Sequence, residues 1–338
     1  MLSFLLFSLT ALRVVHAWGN LGHETVAYVA THYVESHTKQ WAQAILGDTS
    51  TSYLANVATW ADSYRYTTAG KFSAPFHFID AQDDPPSSCN VDYDRDCVGT
   101  GCVVSAIANY TRRVQEPDSL DSGEIEDALK FIIHFVGDIT QPLHDEAYEV
   151  GANDVDVTFN GDSTNLHHVW DTNAPEQLRG GYTLSDAQAW ADDLVTQIEA
   201  GNFSSKPSTW IQGLNVDDAK TTALSWATDA NAYVCSVVMP DGAQELEDEA
   251  DLYPSYYDGI TDTIELQIAK GGYRLAKWLD AVAANQDVPN SKKKRRDFGV
   301  ESMDFLMGRD LLGNRREEAL TPAQRRRAAV GWGCGHAH

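Results

Sequence analysis

The segment FIIHFVGDITQPLHDE, residues 131–146, constrains the fold of this chain more than any other segment. Its apolar residues form a run that is typical of a buried helix. His134 and Asp138 interrupt that run four residues apart, so both side chains project from one helix face. Pro142 ends or turns the helix, and His144 follows two residues later. Because a buried carboxylate needs a compensating charge, the segment predicts a core helix that carries ligands for a cation.

The same helical periodicity extends over most of the chain. Apolar positions recur at spacings of three and four in residues 20–46, 101–115, 124–139, roughly 184–199, 216–237 and about 260–283. Strand-like pieces are few, namely 76–80 and 155–159, and Gly and Pro cluster in the predicted loops 85–101 and 150–165. We therefore predict a mainly α protein, a single compact multi-helix domain over residues 18–285 with little β structure.

Both ends of the chain differ from this body. Residues 1–17 are apolar and free of carboxylates, and Val15 and Ala17 place small residues before a predicted cleavage site, so we expect a secretory signal peptide removed before Trp18. No later segment is long and apolar enough to span a membrane. Residues 286–338 contain the basic run SKKKRR and lack a sustained apolar period. We expect a basic tail that is disordered or removed.

The net charge is strongly asymmetric. Residues 18–291 contain 13 Lys and Arg against 43 Asp and Glu, a net charge of −30. Residues 292–338 contain 11 against 6, a net charge of +5, and Arg13 completes the total of −24. An acidic body argues against a general phosphate-binding surface. If the substrate is a phosphate ester, metal ions must supply most of the positive charge.

A secreted chain changes how its cysteines are interpreted. Cys97 and Cys102 enclose a short loop with glycines, which favours a local disulfide and leaves Cys89 to pair with Cys235. Cys334 is then the odd cysteine. The sequons NYT and NFS predict glycosylation at Asn109 and Asn202.

A second pair repeats the helical spacing of the first. His167 and Asp171, in NLHHVWD, are also four residues apart. Two such pairs with a nearby histidine are suitable ligands for zinc, which accepts nitrogen and oxygen donors. Asp62 in ATWADSYR and His77 in APFHFID are further candidates. On their own, these two would be interpreted as an exposed carboxylate and a packed histidine.

Together these motifs resemble those of the secreted fungal and plant zinc nucleases that are specific for single strands, the S1/P1 or type I family. The chain is also distantly similar to bacterial zinc phospholipase C. The resemblance covers roughly residues 18–285, and its motifs occur in the order of the family: WGNLGH at 18–23, WADSYR at 60–65, HFID at 77–80, HFVGDITQPLH at 134–144 and NLHHVWD at 165–171. It implies the multi-helix fold that these two groups share.

The resemblance also implies three zinc ions in one cleft. Asp62, His77, His134 and Asp138 would hold the first ion. His144, His167 and Asp171 would hold the second. The third would be held by His23, Asp138 and Trp18, the last through its α-amino group and carbonyl oxygen. Asp138 would then bridge two ions, and removal of the signal peptide would create the amine at Trp18.

The implied activity is hydrolysis of single-stranded DNA and RNA to 5′-phosphorylated nucleotides, together with removal of a 3′-phosphate from mononucleotides. A water activated by two of the zinc ions would attack phosphorus, with Asp62 orienting it. Arg65 and Asn153 match family positions that contact the phosphate. Phe78 would stack on a base and Asp80 would accept hydrogen bonds from the edge of that base. We expect a secreted monomer without an obligate protein partner or membrane.

Two alternatives remain at this point. A zinc phospholipase C would share the metal ligands but would need an apolar rim for lipid, whereas Arg65 and the Phe78–Asp80 pair favour nucleotides. A secreted zinc-binding protein without catalytic activity would share the ligands but would have no need for Arg65. The remaining histidines of the body, His32, His37 and His168, are expected to be structural or exposed.

Overall fold

Helices form most of the chain in the computed structural model, which describes residues 18–289. The predicted signal peptide, the tail from residue 290 onward and Cys334 lie outside the described residues. Within this part of the chain, no helix is both long enough and apolar enough to cross a membrane.

The described residues contain fourteen helices. In chain order they are α1 (Asn20–Tyr33), α2 (Ser36–Leu46), α3 (Trp60–Tyr64), α4 (Tyr93–Asp96), α5 (Val103–Gln115), α6 (Ser122–Asp138), α7 (Glu149–Ala152), α8 (Leu166–His168), α9 (Ala174–Arg179), α10 (Leu184–Glu199), α11 (Pro207–Trp210), α12 (Ala219–Tyr233), α13 (Ala243–Asp248) and α14 (Ser255–Ala283). The segments Val169–Asn173 and Val234–Val238 are π-helical continuations of α8 and α12. Short 3-10 helices lie at Ala55–Val57, Lys71–His77, Pro117–Ser119, Pro142–Asp145 and Val216–Asp218.

Helix α6 lies in the middle of the core, as its apolar sequence predicts. Asp121 caps it: its carboxylate accepts hydrogen bonds from the backbone N–H groups of Gly123 and Glu124, while Glu124 accepts one from the N–H of Asp121. The helix is buried from Ala128 to Asp138 except at Lys130, which is half-buried. Its last turn therefore places polar side chains in a water-poor interior.

Helices α1 and α14 pack closely beside α6. Gly272 of α14 allows this approach, because a Cβ at that position would lie 2.4 Å from the Cβ of Val29 in α1. Helix α10 packs against α1, and α5 packs against α6. The single helix predicted over 20–46 is in fact two, because the backbone at Val34 is extended (φ −69°, ψ 143°) and separates α1 from α2.

The only sheet in the described residues is an antiparallel hairpin. Strand β1 (Asp156–Phe159) pairs with β2 (Asp162–Asn165), in the register Asp156 with Asn165 and Phe159 with Asp162. The strand-like segment 155–159 is thus confirmed. Segment 76–80 is not a strand: its first two residues end the 3-10 helix Lys71–His77, and the extended residues that follow bond to the 144–147 segment.

Two disulfides fix the loop between α3 and α5. Cys97 pairs with Cys102, and Cys89 pairs with Cys235 across 146 residues. Both pairings predicted from the sequence are confirmed. The second one ties the loop that follows the 77–82 segment to the end of α12.

Candidate metal centre

The end of α6 forms one wall of a buried polar cluster. His134 and Asp138 are one helical turn apart, and the Nε2 atom of His134 lies 3.2 Å from Oδ2 of Asp138. The opposite ring nitrogen, Nδ1, donates to the carbonyl oxygen of Ala58 at 2.7 Å. That bond fixes the orientation of the ring, so Nε2 faces the cluster. Both side chains are fully buried.

The first group of potential ligands comprises Asp62, His77 and His134, whose donor atoms lie within 4.8 Å of one another. Nδ1 of His77 is 3.0 Å from Nε2 of His134 and 3.7 Å from Oδ1 of Asp62. The same nitrogen lies 3.0 Å from Oδ2 of Asp138. Helix α3, a 3-10 helix and α6 thus each deliver one side chain, and Asp138 adjoins the group.

The second group comprises His144, His167 and Asp171. Nδ1 of His144 is 2.8 Å from the carbonyl oxygen of His77, and Nδ1 of His167 is 2.6 Å from that of Gly151. Both rings therefore direct Nε2 toward Asp171. The distances from Nε2 to the nearer carboxylate oxygen are 3.8 Å for His144 and 3.0 Å for His167.

The third group joins the start of α1 to the end of α6. Nε2 of His23 lies 3.1 Å from Oδ1 of Asp138, and the rings of His23 and His134 stack at 3.9 Å. Trp18 is fully buried beside them, where its indole N–H donates to the hydroxyl of Thr140 at 3.3 Å. The N–H of Gly19 donates to the carbonyl oxygen of Asp171 at 2.7 Å. The start of the described chain is therefore held against both α6 and the segment of the second group.

Mutual proximity shifts the pKa values of these groups. Although burial alone would lower it, Asp138 and Asp62 raise the pKa of His134 to about 9. Burial, reinforced by Arg65, lowers the pKa of His77 to about 3. Burial alone would raise the pKa of Asp138, but His134 and the surrounding hydrogen bonds hold it well below its ordinary value. The carboxylate of Asp138 is therefore anionic and closely surrounded by ring nitrogens.

This donor set fits divalent zinc. Eight side chains, five imidazoles and three carboxylates, converge in three groups and are at most 1% exposed. Nε2 of His77 has no hydrogen-bond partner, and the buried carboxylates of Asp138 and Asp171 lie 3.0–3.2 Å from ring nitrogens. Buried anions are costly unless a cation compensates them. Mixed nitrogen and oxygen donors are the ligands of zinc.

Arg65 and Asn153 flank the groups in different ways. Nη2 of Arg65 is 3.4 Å from Oδ1 of Asp62, and its guanidinium lies over the ring of Tyr66 at 5.2 Å. Asn153 follows the turn α7, where it donates to the carbonyl oxygen of Val150 at 2.8 Å. Arg65 therefore adjoins the first group, whereas Asn153 is positioned by a loop beside the second.

The turn α7 has an unusual backbone. Glu149, Val150, Gly151 and Ala152 all have φ between 42° and 65°, a left-handed turn in which three residues are not glycine. A β-branched residue such as Val150 is rarely found there. Hydrogen bonds from the N–H of Ala152 to the oxygen of Tyr148 (2.7 Å) and from that of Asp154 to Glu149 (3.0 Å) hold the turn. The strained turn presents the carbonyl group of Gly151 to His167.

The predicted base-binding residues lie next to the second group. The N–H of Ile79 donates to the carbonyl oxygen of His144 at 2.8 Å, and the N–H of Ala147 donates to that of Ala81 at 3.1 Å. These two bonds connect the segment carrying Phe78 and Asp80 directly to the metal-ligand segment. Phe78 is 2% exposed and Asp80 is fully buried. Base stacking on Phe78 stays a prediction and requires the ring to become accessible.

Several functional contacts were not predicted from the sequence. The carbonyl groups of Ala58 and Gly151 orient ligand histidines, yet every residue has a carbonyl, so no residue type marks them. Gly137 is a residue that the sequence could have indicated, because glycine is unfavourable inside a helix and this one directly precedes Asp138. A Cβ at this position would lie 2.8 Å from Nδ1 of His23, so glycine makes room for that ring.

A mainly helical domain in which buried His and Asp side chains form groups suited to metal ions fits a metal-dependent hydrolase. Comparison with known proteins identifies the family. Residues 18–284 match the family model S1/P1 Nuclease, and the chain belongs to the S1/P1 nuclease family.

The chain is also similar to named nucleases over most of their lengths. Nuclease P1 of Penicillium citrinum is 58% identical over 269 residues, 80% of this chain and 99% of that protein. Nuclease S1 of Aspergillus oryzae is 54% identical over 277 residues, 82% of this chain and 96% of that protein. Endonuclease 3 of Arabidopsis thaliana is 28% identical over 270 residues, 78% of this chain and 88% of that protein. The resemblance drawn from the sequence motifs is thereby confirmed.

Proposed function

We propose that this protein is a secreted endonuclease that hydrolyses single-stranded DNA and RNA to 5′-phosphorylated nucleotides and removes 3′-phosphates from mononucleotides. One observation carries the proposal. In a member of a nuclease family, eight buried His and Asp side chains form three adjoining groups; two of these share His134 and adjoin different oxygens of Asp138. The acidic body favours a mechanism in which bound cations, rather than surface lysines, attract the phosphate.

The proposed cofactor is three zinc ions. Asp62, His77, His134 and Asp138 would hold the first, and His144, His167 and Asp171 the second. His23, Asp138 and the amino group and carbonyl oxygen of Trp18 would hold the third. When bound, the ions would supply Lewis acidity, lowering the pKa of water toward 7 and neutralising phosphate charge.

The protein groups around the ions have separate roles in this proposal. The carboxylate of Asp62 would accept a hydrogen bond from the attacking water and so orient that water toward phosphorus. Arg65, held between Asp62 and the ring of Tyr66, would stabilise the charge that grows on the phosphate oxygens. Asn153 would donate to the same phosphate from the opposite loop. Burial of the site excludes bulk water and strengthens each of these interactions.

Recognition of single strands would depend on Phe78 and Asp80. Stacking on an aromatic ring tolerates any base, and a base must leave the duplex before it can be held in this way. The backbone bonds between the 79–81 and 144–147 segments support this role, because they keep a bound base at a fixed distance from the second group.

Processing of the chain completes the proposal. Cleavage before Trp18 would free the amino group at a residue that is already buried next to His23 and Asp138. Residues 18–285 would form the catalytic domain of a secreted monomer, and 286–338 a basic tail. Of the two sequons, Asn202 is exposed after α10, whereas Asn109 is half-buried within α5. Exposure favours glycosylation at Asn202.

Digestion of nucleic acids of defined strandedness tests the function. We expect the protein to digest heat-denatured DNA and RNA, leave native duplex largely intact and yield 5′-phosphate ends. A chelator should abolish activity and zinc should restore it. Hydrolysis of phosphatidylcholine without digestion of denatured DNA would instead indicate a phospholipase. Zinc at full occupancy with neither activity would indicate a binding protein.

A further inference from the structure

A buried glutamine connects two of the candidate ligands. Gln141 lies fully buried in the turn between α6 and the 3-10 helix that carries His144. Its side-chain oxygen Oε1 accepts a hydrogen bond from the N–H of Leu143 at 2.6 Å. Its side-chain nitrogen Nε2 donates to Oδ1 of Asp171 at 2.6 Å. The two partners are 28 residues apart in the sequence, yet one amide group joins them.

The chemistry of these partners determines the orientation of the amide. A backbone N–H can only donate, so Leu143 must face the oxygen of the Gln141 side chain. An ionised carboxylate can only accept, so Asp171 must face the nitrogen. A flipped amide would lose both bonds.

We propose that Gln141 is a positioning residue that fixes the carboxylate of Asp171 for the second metal ion. The inference rests on the proposed function, since it assigns a role in the same metal centre. Gln141 holds Oδ1, which lies 3.8 Å from Nε2 of His144. The other oxygen, Oδ2, is thereby turned toward His167 and lies 3.0 Å from its Nε2 atom.

Gln141 also sets the position of His144. The side-chain oxygen of Gln141 caps the 3-10 helix Pro142–Asp145, and its backbone carbonyl oxygen accepts a hydrogen bond from the N–H of His144 at 3.0 Å. Gln141 therefore holds the backbone that carries one ligand and the side chain of another. Partners of this kind typically contribute 10–100-fold to metal affinity.

The test is the retention of zinc by the purified secreted protein during titration with a chelator. Gln141→Met keeps the size and removes both hydrogen bonds. We expect one of three zinc ions to leave at a chelator concentration about 10–100-fold lower than in the wild type. Gln141→Glu keeps an acceptor for Leu143 but presents a carboxylate to Asp171, and we expect it to weaken retention as well.

Gln267→Met is the matched control. Gln267 is also fully buried, and its side-chain nitrogen donates to a backbone carbonyl, that of Thr140, at 2.7 Å. We expect this variant to lose a comparable amount of thermal stability while retaining zinc like the wild type. Thermal unfolding of each variant, followed by circular dichroism, reports whether it is folded.

The outcomes separate this inference from the proposed function. If the wild type holds three zinc ions and folded Gln141→Met retains them as Gln267→Met does, the role of Gln141 is wrong and the nuclease proposal stands. If the wild type holds no zinc, the metal-dependent function itself fails. If Gln141→Met does not fold, Gln141→Glu decides: retention equal to that of the control overturns the inference.

Discussion

Replacement of Asp138 by asparagine should be the most damaging change to a single ligand. Oδ1 of Asp138 lies 3.1 Å from His23, whereas Oδ2 lies 3.0 Å from His77 and 3.2 Å from His134. One carboxylate therefore faces two groups of ligands with different oxygens. Asp171, by contrast, adjoins the histidines of one group only, His144 and His167. Asparagine preserves the volume of the side chain but removes the charge and one acceptor.

The expected magnitude follows from this sharing. Loss of a residue that hydrogen-bonds to a metal ligand typically costs 10–100-fold in activity. We take the upper end, about 100-fold, for loss of a ligand charge at one metal site, so Asp171→Asn should lose about 100-fold. Asp138→Asn, which affects two sites, should lose about 10,000-fold. The difference corresponds to about 2.7 kcal/mol of transition-state stabilisation.

The assay is the initial rate of digestion of heat-denatured DNA, with zinc content measured on the same samples. Circular dichroism of the metal-free proteins checks that both variants fold. We expect wild-type helicity for both, because Asp138→Asn removes a buried charge rather than a packed apolar group. Activity of Asp138→Asn within tenfold of that of Asp171→Asn would refute the bridging role.

Three further predictions concern other parts of the molecule. Arg65→Met should lower kcat by about 10²–10³-fold, as expected for loss of one transition-state donor, with zinc content unchanged in metal analysis. Serine at both Cys89 and Cys235 should lower the free energy of unfolding by about 5 kcal/mol in urea denaturation, whereas serine at both Cys97 and Cys102 should lower it by about 2 kcal/mol. The first bridge closes the longer loop and so restricts the unfolded chain more; equal losses would contradict this reasoning. Burial alone would raise the pKa of Asp229, but the buried cations Lys270 and Arg274 of α14 lower it. The contribution of Asp229 to the stability of the fold is therefore present above pH 3.8, its ordinary pKa, and is lost as the pH falls through the lower pKa of the folded state. Asp229→Asn should therefore cost about 2 kcal/mol at pH 7, between typical surface and buried pairs, and should show a smaller further loss on acidification.

The helical architecture could be predicted from apolar periodicity because most helices bury one continuous face. Helix α10 begins and ends where its pattern does, at Leu184 and Glu199. The break at Val34 was not predicted, because no glycine or proline marks it and residues 35–40 (ESHTKQ) are compatible with a helix. The segment 76–80 resembles a strand in composition, yet it begins in a 3-10 helix. Its extended part bonds to residues 144–147 and does not join a sheet.

The pairs His134–Asp138 and His167–Asp171 could be predicted because histidine and aspartate at helical spacing are chemically distinctive. Asp62, His77, His23 and Trp18 were indicated only by the resemblance to the family. The contacts that orient them were harder to predict. The carbonyl groups of Ala58 and Gly151 carry no signal in the sequence, and the left-handed turn at Glu149–Ala152 forms despite residues that disfavour it. Gln141 is an ordinary residue type in a turn, and only the folded chain brings it to Asp171.

Zinc content of the secreted protein, purified without added metal or chelator, tests the central claim most directly. Elemental analysis against protein concentration, on a sample whose N-terminus is established by mass spectrometry, should give three zinc ions per chain that begins at Trp18. An active nuclease that contains fewer than two zinc ions per chain, or that contains three with Trp18 still joined to Ala17, would contradict the proposed centre.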